Sequence, residues 1–249
     1  MAFSSKKHEE VLGEFVTRLR AAAGDDLVSV VLYGSAANGD FHADYSDLNL
    51  LCLVREASFE VLSKIAAAVD WWCKKKHRPP LVLTTKELKE TADVFSIEFT
   101  DIKDRYRVLY GEDPFETLAV PMHLHRHQLE YELREKLFLL RQHVLVAGTD
   151  EKALWEAMLN SLSSFTTLFR HVLIELGEKG RKHSREATQE LAARLNFDPS
   201  AFVELIDIRA GKSDRKQFRA TDVAARYLAG IETVASAVDK MQGPPVKTN

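Results

Sequence analysis

The segment VVLYGSAANGDFHADYSDLNLLCLV, residues 30–54, decides the fold. It opens with a run of β-branched and apolar residues and closes with a second apolar run, and a turn-rich connection lies between them. This pattern predicts two buried strands joined by a loop. Gly34-Ser35 follows the first strand, and Ser46-Asp47 begins the second. The arrangement indicates half of a phosphate- and metal-binding site at one end of a sheet.

The Gly-Ser pair suits a phosphate. A glycine lets the backbone approach a ligand closely, and free N–H groups at the start of a helix or turn favour an anion. The hydroxyl of Ser35 adds one further hydrogen bond. Taken alone, however, Gly34-Ser35 after a strand is typical of an ordinary turn.

The second strand carries groups that suit a hard cation. Asp47 and Asn49 are two residues apart, so on a strand their side chains share one face. Carboxylate and amide oxygens both ligate Mg²⁺. Taken alone, Asp-x-Asn at a strand start is more typical of a turn or a cap.

The combined spacing is more specific than either half. Gly34-Ser35, Gly39 and Ser46-Asp47-Leu48-Asn49 between two strands resemble the signature of the nucleotidyltransferase superfamily related to polymerase beta, which includes the aminoglycoside nucleotidyltransferases. The resemblance covers about residues 10–115. It implies an α+β protein, in which a mixed sheet with helices is followed by an appended helical domain that lines a substrate cleft.

The resemblance also implies a nucleoside triphosphate (NTP) as substrate or ligand and Mg²⁺ as cofactor. Asp47 matches the first metal-binding aspartate and is the implied catalytic residue. Asn49 stands at the second aspartate, where its single neutral oxygen should bind Mg²⁺ more weakly than a carboxylate. The implied nucleotide-binding residues are Gly34, Ser35, Gly39 and Ser46.

A third acid in such enzymes comes from a later strand. The strand predicted in PPLVLTT has none. A strand followed by a mixed segment is predicted in VFSIEFTDIKDRYRVLYG, where Phe95, Ile97 and Phe99 alternate and Glu98 lies between them. Glu98 is therefore the candidate for the catalytic proton acceptor, and the alternative is an exposed residue or an ion pair with Arg105 or Arg107.

The second half of the chain has helical periodicity. It predicts five helices, at residues 122–147, 150–177, 184–196, 200–211 and 220–241. We therefore expect a nucleotidyltransferase-like α/β domain at 1–115 and a helical bundle domain at 116–249. Acidic residues of the bundle are interpreted mainly as a solvated face, with attraction of a cationic substrate as the alternative: Glu130, Glu132, Glu135, Glu156 and Glu175.

His123, His125 and His127 alternate along the chain. On a strand they would share a face and suit zinc. At the predicted helix start, residues two apart do not face one another, so a surface or interdomain role is favoured.

Composition limits the class of protein. Hydrophobic residues make up 45% and charged residues 29%, the net charge is −3, and there are two cysteines. These values are typical of a globular protein in a reducing compartment. No apolar run predicts a membrane span or a signal peptide, so a cytoplasmic protein is expected. Nucleic acid is an unfavoured partner, since the basic WWCKKKHRPP is explained by a helix C-terminus with buried tryptophans.

Three interpretations stay open. The chain is a Mg²⁺-dependent transferase that moves a nucleoside monophosphate to a hydroxyl acceptor, which is a small molecule or a protein. Alternatively, Asn49 makes it a catalytically impaired nucleotide-binding protein. In the third interpretation, the helical bundle mediates dimerisation, and a homo-oligomer is compatible with all three.

Overall fold

The computed structural model describes residues 2–38, 48–178, 180 and 182–241. The chain divides into two compact units, Met1–Met122 and His123–Asn249. In the first unit the elements are, in order, α1 (Ala2–Ala23), β1 (Leu27–Tyr33), β2 (Asn49–Val54), α2 (Phe59–Lys74), β3 (Leu81–Thr84), α3 (Thr85–Glu90), α4 (Ser96–Asp104) and β4 (Tyr106–Gly111).

The four strands form one mixed sheet in the order β3-β2-β1-β4. β1 runs antiparallel to both β2 and β4, whereas β2 and β3 are parallel. A parallel connection requires a crossover, and α2 supplies it between β2 and β3. The predicted mixed sheet is confirmed.

Both faces of the sheet are buried, which explains the nearly continuous apolar runs of its two central strands. In β2, Cys52 and Val54 pack with Phe15 of α1 and Trp72 of α2. Leu51 and its face-sharing neighbour Leu53 pack on the opposite side with apolar residues of α3 and α4. Phe115 and Leu118 are buried on that side as well, so the first unit continues past the sequence-based boundary between residues 115 and 116.

The second unit is all helical. Its elements are α5 (His125–Ala147), α6 (Glu151–Glu175), α7 (Ser184–Leu195), α8 (Ser200–Arg209) and α9 (Ala220–Lys240). α6 is the central helix, because it packs against the other four. The predicted helical bundle is confirmed, with ends within a few residues of those expected from periodicity.

Three of the described helices, α2, α3 and α6, begin after a residue whose side chain caps the helix. At α3, the Thr84 hydroxyl accepts from the Glu87 N–H at 3.0 Å, and the Glu87 carboxylate accepts from the Thr84 N–H at 2.7 Å. This capping box satisfies two backbone donors at once. Within the described ranges, no helix combines the length and apolar character needed to cross a bilayer.

Candidate functional site

One end of the sheet gathers the residues that the sequence singles out. β1 ends there at Tyr33, and β2 and β4 begin there. Tyr33 is paired with Asn49 on one side and with Tyr106 on the other. Directly paired residues of antiparallel strands share a face. The side chains of Asn49, Tyr33 and Tyr106 therefore form a row across the sheet.

Gly34 makes the turn that follows β1. Its φ is +84°, a value that L-residues with a side chain rarely adopt. Its N–H donates to the carbonyl of Arg105 at 2.9 Å, and its own carbonyl accepts from the N–H of Ala37 at 3.2 Å. A Cβ added at Gly34 would lie 3.4 Å from Nδ2 of Asn49. The turn thus lies directly against the Asn49 amide.

The structure brings together two of the predicted site residues, Gly34 and Asn49. The backbone of Ser35 opens the short 3₁₀ turn Ser35–Asn38. The Ser35 side chain lies outside what the structure describes, and so do three whole residues: Gly39, Ser46 and Asp47. The placement of Asp47 on the Asn49 face stays a prediction from strand alternation.

The donors near Asn49 are limited. Asn49 is half-buried and offers one neutral carbonyl oxygen, which is compatible with Mg²⁺ but contributes no charge. β3, the neighbour of β2, carries no acid from Leu81 to Thr84. Among the described residues, no group of three His, Cys, Asp or Glu side chains is placed to hold a metal ion. Among the residues described there, Asn49 supplies one neutral oxygen donor, and the metal-binding roles of Asp47 and Asn49 stay predictions.

The strand predicted around Glu98 is wrong. Residues Ser96–Asp104 form α4, and Glu98 is on its exposed side. The buried side of α4 contains Ile97, Phe99 and Ile102. Three alternating apolar residues were too short a pattern to separate a strand from a helix. The proton-accepting role of Glu98 therefore loses the strand position on which it rested.

A cation that sequence reasoning missed lies near the row. Burial raises the pKa of the Tyr33 hydroxyl, and the positive charge of Arg78 acts in the opposite direction. The Arg78 backbone is held by Trp72, whose Nε1 donates to the Arg78 carbonyl at 2.8 Å. The ring of His77 stacks on Trp72 with centroids 4.2 Å apart. The sequence did contain a signal for this cation, because Arg78 ends a basic run directly before Pro79-Pro80 and β3.

Tyr106 closes the row on the other side. Its hydroxyl donates to Asp113 at 2.8 Å, and its ring centroid lies 4.9 Å from that of Phe115. Burial, followed by the hydrogen bond to Asp113, raises the pKa of the Tyr106 hydroxyl. Both tyrosines of the row thus have a pKa above the ordinary tyrosine value.

His125 of the second unit is buried, so the surface role, one of the two favoured from sequence, is wrong for this residue. It is fully buried, and its Nε2 lies 2.9 Å from Nδ1 of the equally buried His171. Its Nδ1 contacts the carboxylate of Glu175. The predicted helix start is correct, and the three groups form a structural polar chain inside the bundle. Glu130 and Glu132, interpreted mainly as solvated, pair with basic residues of their own helix.

Comparison with known proteins agrees with this geometry. Residues 12–104 match the family model described as "Nucleotidyltransferase domain", a range that includes β1, β2, β3 and the Gly34 turn. The chain carries a nucleotidyltransferase domain. The superfamily assignment made from residues 34–49 is confirmed.

The nucleotidyltransferase domain and the helical unit together resemble a solved enzyme structure. Spectinomycin adenyltransferase AAD(9) from Enterococcus faecialis, determined with ATP and spectinomycin, matches with a TM-score of 0.60 and 14% sequence identity. The match covers 93% of this chain and 99% of that one, so the likeness in fold includes both units. A comparison with curated proteins gives no match.

Proposed function

We propose that the nucleotidyltransferase domain binds an NTP at the Gly34–Asn49 end of its sheet and transfers the nucleoside monophosphate to a hydroxyl of a small-molecule acceptor. The observation that supports this most directly is the Gly34 turn, which lies against Asn49 inside a domain matched by the family model. The acceptor hydroxyl loses its proton to solvent water and its oxygen forms a bond to the α-phosphorus, while the bond from that phosphorus to the bridging oxygen breaks and pyrophosphate leaves.

In this proposal the phosphates contact the turn. Gly34 lets them approach the backbone, and Ser35, Gly39 and Ser46 supply the hydrogen bonds implied by the family signature. The guanidinium of Arg78 adds positive charge at the same end of the sheet. These groups bind and orient the triphosphate before any transfer occurs.

Asp47 and Asn49 would hold Mg²⁺. When bound, the ion supplies positive charge that stabilises the phosphate oxygens during transfer. Asp47 provides the charged ligand and Asn49 the neutral one. Because Asn49 carries no charge, we propose binding that is weaker than in a two-aspartate site, or binding of a single ion.

The nature of the acceptor is proposed from the fold. The structurally similar adenyltransferase was determined with ATP and spectinomycin, and the likeness covers its whole length. A hydroxyl-bearing small molecule is therefore the acceptor class proposed here.

The second candidate is a nucleotide-binding protein without turnover. Two observations favour it, namely Asn49 in the place of a carboxylate and Glu98 on the exposed side of a helix. In this case the Gly34 turn and Arg78 still bind the triphosphate, but no second carboxylate is present at Asn49 to help the metal stabilise the reacting phosphate.

The two candidates are separated by measuring binding and turnover on the same samples. Isothermal titration calorimetry with ATP and GTP, in Mg²⁺ and in EDTA, reports binding. Pyrophosphate release with a panel of aminocyclitol and other polyol acceptors reports transfer. Asp47→Ala and Asn49→Asp are the test variants, and Glu98→Gln is the matched control for an acid outside the row.

A transferase shows acceptor-dependent pyrophosphate release that Asp47→Ala abolishes and Glu98→Gln retains. A non-catalytic binder shows NTP binding without release, and Asn49→Asp strengthens its Mg²⁺ dependence. If no NTP binds at millimolar concentration, both candidates are wrong. If Asp47→Ala changes neither nucleotide nor metal binding, the site assignment is wrong.

A further inference from the structure

The outward side of α5 carries an exposed apolar surface in its C-terminal half. Phe138 and Leu139 are about half exposed, at 53% and 50%, while Leu145 and Val146 are 82% and 89% exposed. We call these four residues the α5 patch. They are separate from the side of α5 that packs into the bundle, which contains Leu129, Leu133, Leu137 and Leu140. α5 is therefore apolar on two sides, although only one of them is buried within the bundle.

The α5 patch has a regular arrangement around Gln142. Phe138 and Leu139 lie four and three positions before it, and Leu145 and Val146 lie three and four positions after it. Residues three and four apart are neighbours on a helix surface. The four apolar side chains consequently surround one uncharged amide, and the pattern reads the same in both directions along the helix.

The α5 patch itself contains no charged side chain. Arg141, beside Gln142 in sequence, pairs with Glu232 of α9 at 2.6 Å. Lys136 pairs with Glu132 of the same helix. The nearest basic side chains are thus neutralised within the chain itself. The exposed carboxylate of Glu135 lies one turn before Phe138 and Leu139, so the α5 patch is an uncharged apolar centre with a charged border, which is the composition found at protein–protein interfaces.

We propose that the α5 patch binds the α5 patch of a second copy of this chain, with the two helices antiparallel. A two-fold axis through Gln142 sets Leu139 against Leu145 of the second copy and Phe138 against Val146. Each Gln142 then meets its symmetry mate, and two amides can donate to and accept from each other. A pattern that is symmetric about its own centre suits this kind of self-complementary interface.

The surface available is compatible with such a dimer. Four side chains exposed to this degree present about 400 Å² of apolar area per copy, or about 800 Å² for the pair. An interface of this size lies below the roughly 1,200–2,000 Å² of stable complexes, so the dimer is expected to be weak. A dimer with a dissociation constant in the micromolar range, about 1–100 µM, is therefore expected.

Sedimentation equilibrium of the full chain from about 1 to 300 µM tests the dimer across the expected range. Leu145→Glu introduces a charge into the centre of the α5 patch and should raise the dissociation constant at least about tenfold. Phe59→Glu is the matched control, since Phe59 is 87% exposed at the start of α2 and lies outside the α5 patch. Circular dichroism checks that both variants retain the wild-type helix content.

Cysteine cross-linking tests the antiparallel geometry. In a Cys73→Ser background, which leaves only the buried Cys52, Gln142→Cys places two thiols at the two-fold axis and should form an intermolecular disulfide on oxidation. His143→Cys, about a quarter of a turn away, should not. Absence of cross-linking in a dimer that Leu145→Glu dissociates overturns the antiparallel pairing.

Two further outcomes overturn the proposal as a whole. One is a wild-type chain that remains monomeric up to 300 µM, whether or not it binds lipid vesicles. The other is a dimer that Leu145→Glu leaves intact while Phe59→Glu dissociates it. Because sedimentation requires neither NTP nor acceptor, its result is independent of the proposed transferase activity.

Discussion

Replacing Gly34 by Ala tests whether the turn after β1 is a phosphate-binding element. The φ of Gly34 is +84°, so the cost of the added methyl group arises mainly from the backbone. At 3.4 Å from Nδ2 of Asn49, the methyl makes an ordinary contact and no collision. A left-handed conformation costs a residue with a Cβ about 1–2 kcal/mol. We expect the free energy of unfolding to fall by that amount.

Gly24→Ala provides the matched control. Gly24 also has a positive φ, +54°, and no atom lies within 4 Å of a Cβ added there. The same backbone cost of about 1–2 kcal/mol is therefore expected, in the same unit of the chain. The two variants should differ in ligand binding. Only at Gly34 does the new methyl group occupy the space where the triphosphate is proposed to approach Asn49.

Urea denaturation followed by circular dichroism measures the stability of both variants, and calorimetry with ATP and Mg²⁺ measures their binding. Gly34→Ala should raise the Kd for ATP about tenfold, which corresponds to about 1.4 kcal/mol, and Gly24→Ala should leave it unchanged. Equal ATP affinities in the two variants would refute the placement of the triphosphate at Gly34. An unchanged unfolding free energy in Gly34→Ala would refute the left-handed turn itself.

Three further predictions concern stability and are measured by urea denaturation. His171→Ala removes the partner of the buried His125 and should cost about 1–3 kcal/mol; an unchanged midpoint would contradict the buried contact. Gly230→Ala places a Cβ 2.7 Å from the Phe202 ring and should cost about 1–3 kcal/mol, whereas full stability would show that the ring moves freely. Burial raises the pKa of Cys52 from 9.0 to about 12, so the folded state favours the neutral thiol. The stability that this preference adds to the free energy of unfolding is fully present below pH 9. Between pH 9 and pH 12 it decreases by up to about 1.4 kcal/mol per pH unit. Cys52→Ala should abolish that part of the pH dependence, and an identical slope in the variant would contradict it.

The strands and the long helices were predictable because their signals are local. β1 and β2 have apolar residues on both faces, and a sheet covered on both sides requires that pattern. The helices of the second unit repeat their apolar residues with a period near 3.6 over ten or more positions. The resemblance of residues 34–49 to the nucleotidyltransferase signature then predicted that the strands form the mixed sheet of that superfamily.

The error at Glu98 has a physical cause. Phe95, Ile97 and Phe99 alternate, which is a strand pattern, but Phe95, Phe99 and Ile102 are also spaced i, i+4, i+7, which is a helix pattern. The structure has a helix here: Phe99 and Ile102 lie on the buried side of α4 together with Ile97, whereas Phe95 precedes the helix and is half exposed. Extending the sequence window by one helical turn, as far as Ile102, would have revealed that the strand pattern and the helix pattern conflict.

Other features depend on pairing between distant parts of the chain. His125 is buried because α6 brings His171 and Glu175 to it, 46 and 50 positions later in the sequence. The proximity of Arg78 to Tyr33 likewise depends on how β3 is placed beside β2. The residues next to His125 or Arg78 in the sequence do not indicate these partners. His171 and Glu175, four positions apart on one helix, were a partial signal for the contact with His125.

A carboxylate at position 49 would need a compensating charge. The residue is half-buried against the Gly34 backbone, so a carboxylate there would lose part of its hydration, and we expect Arg78 near Tyr33 to offset only part of that loss when no metal ion is bound. Asn49→Asp should therefore lower the melting temperature in EDTA and raise the stabilisation gained from Mg²⁺, because the ion would neutralise the new charge. Thermal unfolding with and without Mg²⁺ measures both effects. A variant that is destabilised equally in the two conditions would mean that position 49 does not contact the metal, and the amide would then be a purely structural residue of the turn.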